Sequence, residues 1–132
     1  MANPNITNVT AIYGNTTYLT PSGTTAVILL ANAASSGQVY KINQIIAANV
    51  NGSSAVNTTV SIYSGSSVTT QGSAPASGTA YPIVSTVSVP ASASLIVTDK
   101  TTAIYLMENQ LISVTSGTGS GITYSISYEV IS

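Results

Sequence analysis

The chain of 132 residues contains no cysteine, no histidine, no tryptophan and no phenylalanine, and only 4% of its residues are charged. Each absence removes a class of chemistry. Without cysteine there is no disulfide framework and no thiolate metal site, so stability must come from apolar packing and backbone ladders. Without histidine, the abundant serines have no partner base, and no Gly-x-Ser-x-Gly elbow is present. The charged residues are Lys41, Asp99, Lys100, Glu108 and Glu129, with a formal net charge of −1. Two lysines cannot neutralise a phosphate backbone or hold an anionic lipid surface, which argues against nucleic-acid and membrane partners. The longest apolar run, 26–31, is far shorter than the roughly 20 residues that span a bilayer. The opening Met1-Ala2-Asn3-Pro4-Asn5 shows no secretory signal, so synthesis in a cytoplasm is expected.

The three carboxylates do not suggest acid–base catalysis. Asp99 stands beside Lys100 at an expected turn, Glu108 lies in another, and Glu129 falls on the polar side of a strand. Nothing in their spacing faces one against another, so the chain reads as a non-enzyme without a cofactor. Oxygen ligands around Asp99 would be the only route to a metal, calcium. The Asn-x-Ser/Thr sequons at Asn5, Asn8, Asn15, Asn51 and Asn57 follow from a composition rich in Asn, Ser and Thr.

What the chain does have is β-forming polarity. Val, Ile, Thr and Ser dominate, helix formers such as Glu and Lys are scarce, and 44% of residues are apolar. The alternation Ile122, Tyr124, Ile126, Tyr128, Val130 against Thr123, Ser125, Ser127, Glu129 predicts a half-buried C-terminal strand. Residues 39–50 form the longest candidate, although Gln44 and Ile45 break its alternation. The 56–62 segment follows through Asn51-Gly52, which predicts an antiparallel hairpin with 39–50. Further strands are expected at 25–30, 81–89, 95–98, 103–107 and 111–115. About eight short strands separated by turn residues predict an all-β, antiparallel β-sandwich of jelly-roll or immunoglobulin-like type, in a single domain over 21–132. Residues 1–20 read either as a hairpin turning at Gly14-Asn15 or as an arm that adds to a neighbour's sheet edge. The 64–80 stretch, rich in Ser, Gly, Thr and Pro, reads as a projecting or mobile loop.

The eight tyrosines are the most informative aromatic set. Tyr40, Tyr81, Tyr124 and Tyr128 share parity with aliphatic residues and are expected in or around the core. Tyr13, Tyr18, Tyr63 and Tyr105 fall elsewhere and are the candidate partner-binding residues, with Met107 beside Tyr105. Low charge removes the self-repulsion that disperses monomers, which favours a homo-oligomer.

The segment Ile104-Tyr105-Leu106-Met107-Glu108-Asn109-Gln110-Leu111-Ile112-Ser113-Val114, followed by Tyr124-Ser125-Ile126-Ser127-Tyr128-Glu129-Val130-Ile131-Ser132, resembles small β-sandwich virion structural proteins of tailed bacteriophages, especially those of marine cyanobacteria. The Lys41-Ile42-Asn43-x-Ile45-Ile46 strand leading to Asn49-Val50-Asn51-Gly52 is similar, more loosely. The resemblance implies a non-catalytic protein made in the host cytoplasm and built into the virion. Within that group it implies a capsid decoration or cement protein, an oligomer such as a trimer that binds the major capsid protein on the outside of the shell. The alternative is a tail or fibre module that binds host carbohydrate through Tyr63, Tyr105 or the 64–80 loop.

Overall fold

Residues that lose rotamer freedom in a helix leave the chain no stable alternative to strands. The computed structural model describes residues 8–132, which form β1 (Ile12–Leu19), β2 (Val27–Asn32), β3 (Val39–Asn49), β4 (Val56–Tyr63), β5 (Ala80–Val89), β6 (Ser94–Thr98), β7 (Ile104–Leu106), β8 (Gln110–Ser116) and β9 (Ile122–Ile131). One sheet, A, has the order β1-β9-β3-β6, with the short β7 also on β3, and the other, B, has the order β2-β8-β4-β5. Every pair is antiparallel. The first strand lies against the last, the second against the eighth and the fourth against the fifth, so the chain is wound as a folded ribbon. That winding is the jelly roll among the two expected sandwich types.

The inward sides of the sheets meet in a core built around Ile42, Ile45, Ile122, Tyr124 and Ile126 from sheet A and Leu30, Val56, Val60, Ile112 and Val114 from sheet B. Each fully buried aliphatic side chain there contributes about 1.5–3 kcal/mol. Polar staples join the sheets at either end of β3. At one, Asn32 Nδ2 donates to the carbonyls of Gln38 (2.9 Å) and Leu106 (3.1 Å). At the other, Asn49 Nδ2 donates to Val89 O (2.8 Å), Ser54 O (3.0 Å) and Pro90 O (3.1 Å).

Three expectations are corrected. Residues 39–50 and 56–62 do not form a hairpin: β3 belongs to sheet A and β4 to sheet B, so the 50–55 connection crosses the sandwich. Asn49 reaches into that connection and accepts Asn51 N–H at 2.8 Å, so Asn51-Gly52 turns the chain between sheets rather than within one. The second correction concerns Gly14-Asn15, which is no turn. Residues 12–19 run straight along β9 in unbroken register, from Ile12↔Ile131 to Leu19↔Tyr124. The rest of the expected arm, residues 1–7, lies outside the described residues.

The third correction is the 64–79 loop, which is folded down rather than projecting. Alternation puts Ile28, Leu111, Ser61 and Ser113 on the outward side of sheet B, yet all four are buried. The loop closes over them. It pairs with the free edge of β2 through Ile28 N–H to Ser73 O (2.9 Å) and Gly72 N–H to Ile28 O (2.9 Å). Across its own base Ser64 N–H donates to Thr79 O (3.0 Å) and Ser67 N–H to Ala76 O (3.1 Å). Gly78 adopts φ +78°, and a Cβ there would stand 2.0 Å from Gly65 O, so this crossing admits only glycine. Gln71 Nε2 then ties the two sheets by donating to Leu29 O (3.0 Å) on β2 and Thr17 Oγ1 (2.9 Å) on β1.

Candidate functional site

The sandwich has four sheet edges, and three are blocked. The loop caps β2. β5 carries Pro82, two register shifts against β4 and Thr86 at φ 53°, all of which spoil it as a template. β6 and β7 are five and three residues long. β1 is different: it spans eight residues, has no register shift and bears no charged side chain. Ala11 exchanges backbone hydrogen bonds with Ser132 (3.1 and 3.0 Å), so on β1 the odd residues face β9 and the even ones face outward. Asn15 Oδ1 takes the outward Thr16 N–H at 2.9 Å, and Gln71 Nε2 approaches Tyr18 O at 3.4 Å. Among the described residues nothing reaches the outward groups of Ile12 and Gly14. Flanking this edge, Ile12, Tyr13 and Tyr18 are 54%, 66% and 72% exposed.

The outward side of sheet A is also open, and its register can be read as transverse rows. Tyr18, Ser125, Ile46 and Ile96 make one row across β1, β9, β3 and β6. Gly14, Glu129, Lys41 and Tyr105 make another across β1, β9, β3 and β7, which sets Lys41 and Glu129 side by side. Between these rows β3 bulges, the register slipping between Ile42 and Gln44. The extra residue, Asn43, and its neighbour Gln44 form one wall of a cleft of about 500 Å³, with Asp99, Lys100 and Thr101 opposite and Ser127 also lining it. Asn43 Oδ1 is the buried side-chain atom without a hydrogen-bond partner among the described residues. Across the cleft, Asp99 caps the 3-10 turn Lys100–Thr102. Its Oδ1 accepts Thr101 N–H (2.9 Å) and Thr101 Oγ1–H (2.5 Å), and the hydroxyl followed by the backbone bond holds its carboxyl below the ordinary aspartate value.

The tyrosines sort by burial. Tyr124 and Tyr128 are core residues and Tyr40 packs against them, its ring centroid 5.4 Å from that of Tyr128. Tyr81 departs from expectation at 59% exposed, because the register shifts of the edge strand β5 break the parity on which its placement depended. Of the candidate partner residues, Tyr13 and Tyr18 both stand on β1, five positions apart and on opposite faces of the strand. Tyr105 lies on the same sheet at the opposite edge, beside the exposed Met107. Tyr63 is half-buried on β4 in sheet B and joins neither group. Sequence reading missed Asn43, Gln44, Thr101 and Ser127; the broken alternation at Gln44 and Ile45 was the signal of the bulge that assembles them.

Among the described residues no helix is long and apolar enough to cross a membrane, and no three His, Cys, Asp or Glu residues gather. Comparison with family models, with curated proteins and with solved structures finds no match.

Proposed function

We propose that this chain is a structural protein of a tailed-phage virion, a capsid decoration protein that binds the major capsid protein on the outer shell and stabilises it without catalysis. The observation that carries the reading is the β1 edge. Folded proteins blunt long edge strands with charge, proline, bulges or cover, because bare N–H and C=O groups recruit any extended segment. Here three edges are blunted and the fourth is left long, straight, uncharged and flanked by exposed Ile12, Tyr13 and Tyr18. Such an edge suits strand addition, with backbone hydrogen bonds supplying affinity and the tyrosines supplying rigid contact area. The jelly roll is consistent with this role, since the fold recurs in viral capsid domains, although fold alone assigns no function.

Binding of this kind uses almost no charge, so occupancy should change little from low salt to about 1 M NaCl. Cryo-electron microscopy of shells incubated with the chain tests both points. Density on the outer shell that joins β1 to a capsid segment is the expected result. Density on the tail, or occupancy that collapses with added salt, would overturn the reading.

A further inference from the structure

We propose that the cleft between the β3 bulge and the Lys100–Thr102 turn is a binding site for a neutral pyranose sugar. The site is distinct from the β1 edge, on the far side of β9 from it, so the inference does not depend on capsid docking.

The chain is almost devoid of charge, yet Asp99 and Lys100 both line this one cleft and cancel each other there. Beside them stand two amides, Asn43 and Gln44, and two hydroxyls, Thr101 and Ser127. This is a mixed set of donors and acceptors with no net charge. An anion would meet one ammonium and one carboxylate, and a cation would meet Lys100, so neither gains. A vicinal diol matches both kinds of group: each hydroxyl donates to a carboxylate or amide oxygen and accepts from an ammonium, amide or hydroxyl. The volume, about 500 Å³, lies within the range of small-molecule sites.

Asn43 supplies the second observation. Its Oδ1 is buried without a donor, an arrangement that ordinarily costs about as much as a lost hydrogen bond and that folded chains avoid. Among the described residues no hydrogen bond holds this amide in place, and the terminal torsion of asparagine is broad, so the group is free to turn when a ligand enters the cleft that Asn43 lines. A sugar hydroxyl entering there provides the missing donor. Tyr105, 46% exposed on the adjacent strand and in the neighbouring row, offers an aromatic face of the type that pyranose C–H groups pack against.

The test is a titration of the whole ¹⁵N-labelled chain with glucose, galactose, mannose and N-acetylglucosamine in turn, followed by amide chemical shifts. At least one sugar should shift the Asn43 side-chain amide together with the backbone of Gln44, Thr101 and Ser127, with Kd on the order of millimolar. Gln44→Ala and Asp99→Asn should each weaken that sugar about tenfold while the unfolding midpoint stays in place. A Gly14→Lys variant, altered only at the β1 edge, should bind the sugar as the parent does, which separates this site from shell docking. No localised shift with any of the four sugars at roughly 100-fold excess over protein, or shifts that survive both cleft variants, would overturn the proposal.

Discussion

The hydroxyl of Tyr124, on β9 in sheet A, meets the hydroxyl of Thr58, on β4 in sheet B, inside the core. Tyr124 also donates to Thr115 O at 2.8 Å, so one phenol satisfies two partners on the opposite sheet, buried Thr58 and half-buried Thr115. Tyr124→Phe keeps the ring but leaves Thr58 Oγ1 and Thr115 O without their donor or acceptor. A loss of about 1–3 kcal/mol is expected from urea unfolding. Adding Thr58→Val should cost less than its separate effect, since the group it would strand is already gone.

Burial sets the alkaline limit of the fold. It pushes the Tyr124 phenol up to about 12 and raises Tyr40 and Tyr128 as well, with Tyr40 adding charge repulsion at Tyr128. A phenol whose folded value lies above its unfolded one stabilises the fold fully below the unfolded value, near 10, and loses that contribution as pH rises toward the folded value. The melting midpoint should therefore hold steady up to about pH 9 and fall between about pH 10 and 12, less steeply in Tyr124→Phe. Asp99 acts at the other extreme. Its depressed value means a contribution present above the unfolded aspartate range and lost in strong acid, and as an exposed group its effect is small. A midpoint that moved between pH 5 and 9 would contradict this account, because no histidine or cysteine is present to titrate there.

The outward side of sheet B should behave as a second core. Leu111 is 1% exposed there although its strand position faces away from the main core. Leu111→Ala should cost about 2–4 kcal/mol in denaturant unfolding, as for an interior leucine and unlike a surface one. Gly78→Ala forces a Cβ into Gly65 O and should lift the loop, giving a similar loss together with new binding of a hydrophobic dye.

The β1 edge should be separable from stability. Gly14 has open space around its missing Cβ, no positive φ, and Glu129 as its cross-strand neighbour. Gly14→Lys therefore places a charge on the free edge without a clash. Shell occupancy should fall at least about tenfold while the unfolding free energy changes by less than about 0.5 kcal/mol.

Strands were legible wherever burial imposes a strict period. β9 shows it from Ile122 to Tyr128, with even residues inward. Partnership was not legible, because the residues after Asn49 permit a hairpin as readily as a crossing; what decides is a side chain, Asn49, bonding to Val89 forty residues away. The loop misled for a related reason: its own composition is polar and small, and the apolar residues it covers, Ile28 and Leu111, belong to other strands. Tyr13 and Tyr18 were picked out as outliers to the alternation, but their shared place on an edge strand depends on β1 pairing with β9 over 100 residues later in the chain. The cleft left one trace, the phase slip at Gln44, which a period-2 reading records as an exception and a sheet records as a bulge.

A template open, among the described residues, on one flank alone also limits how far copies of the molecule can stack. Growth into a fibril requires each unit to offer two sticky sides, one to receive and one to pass on. With Pro82 and its bulges on one border and Gly72 and Ser73 sealing another, two free molecules that met through β1 would terminate each other. The composition that strips the chain of electrostatic repulsion is thus made safe by topology, and a concentrated solution should not grow threads by strand addition.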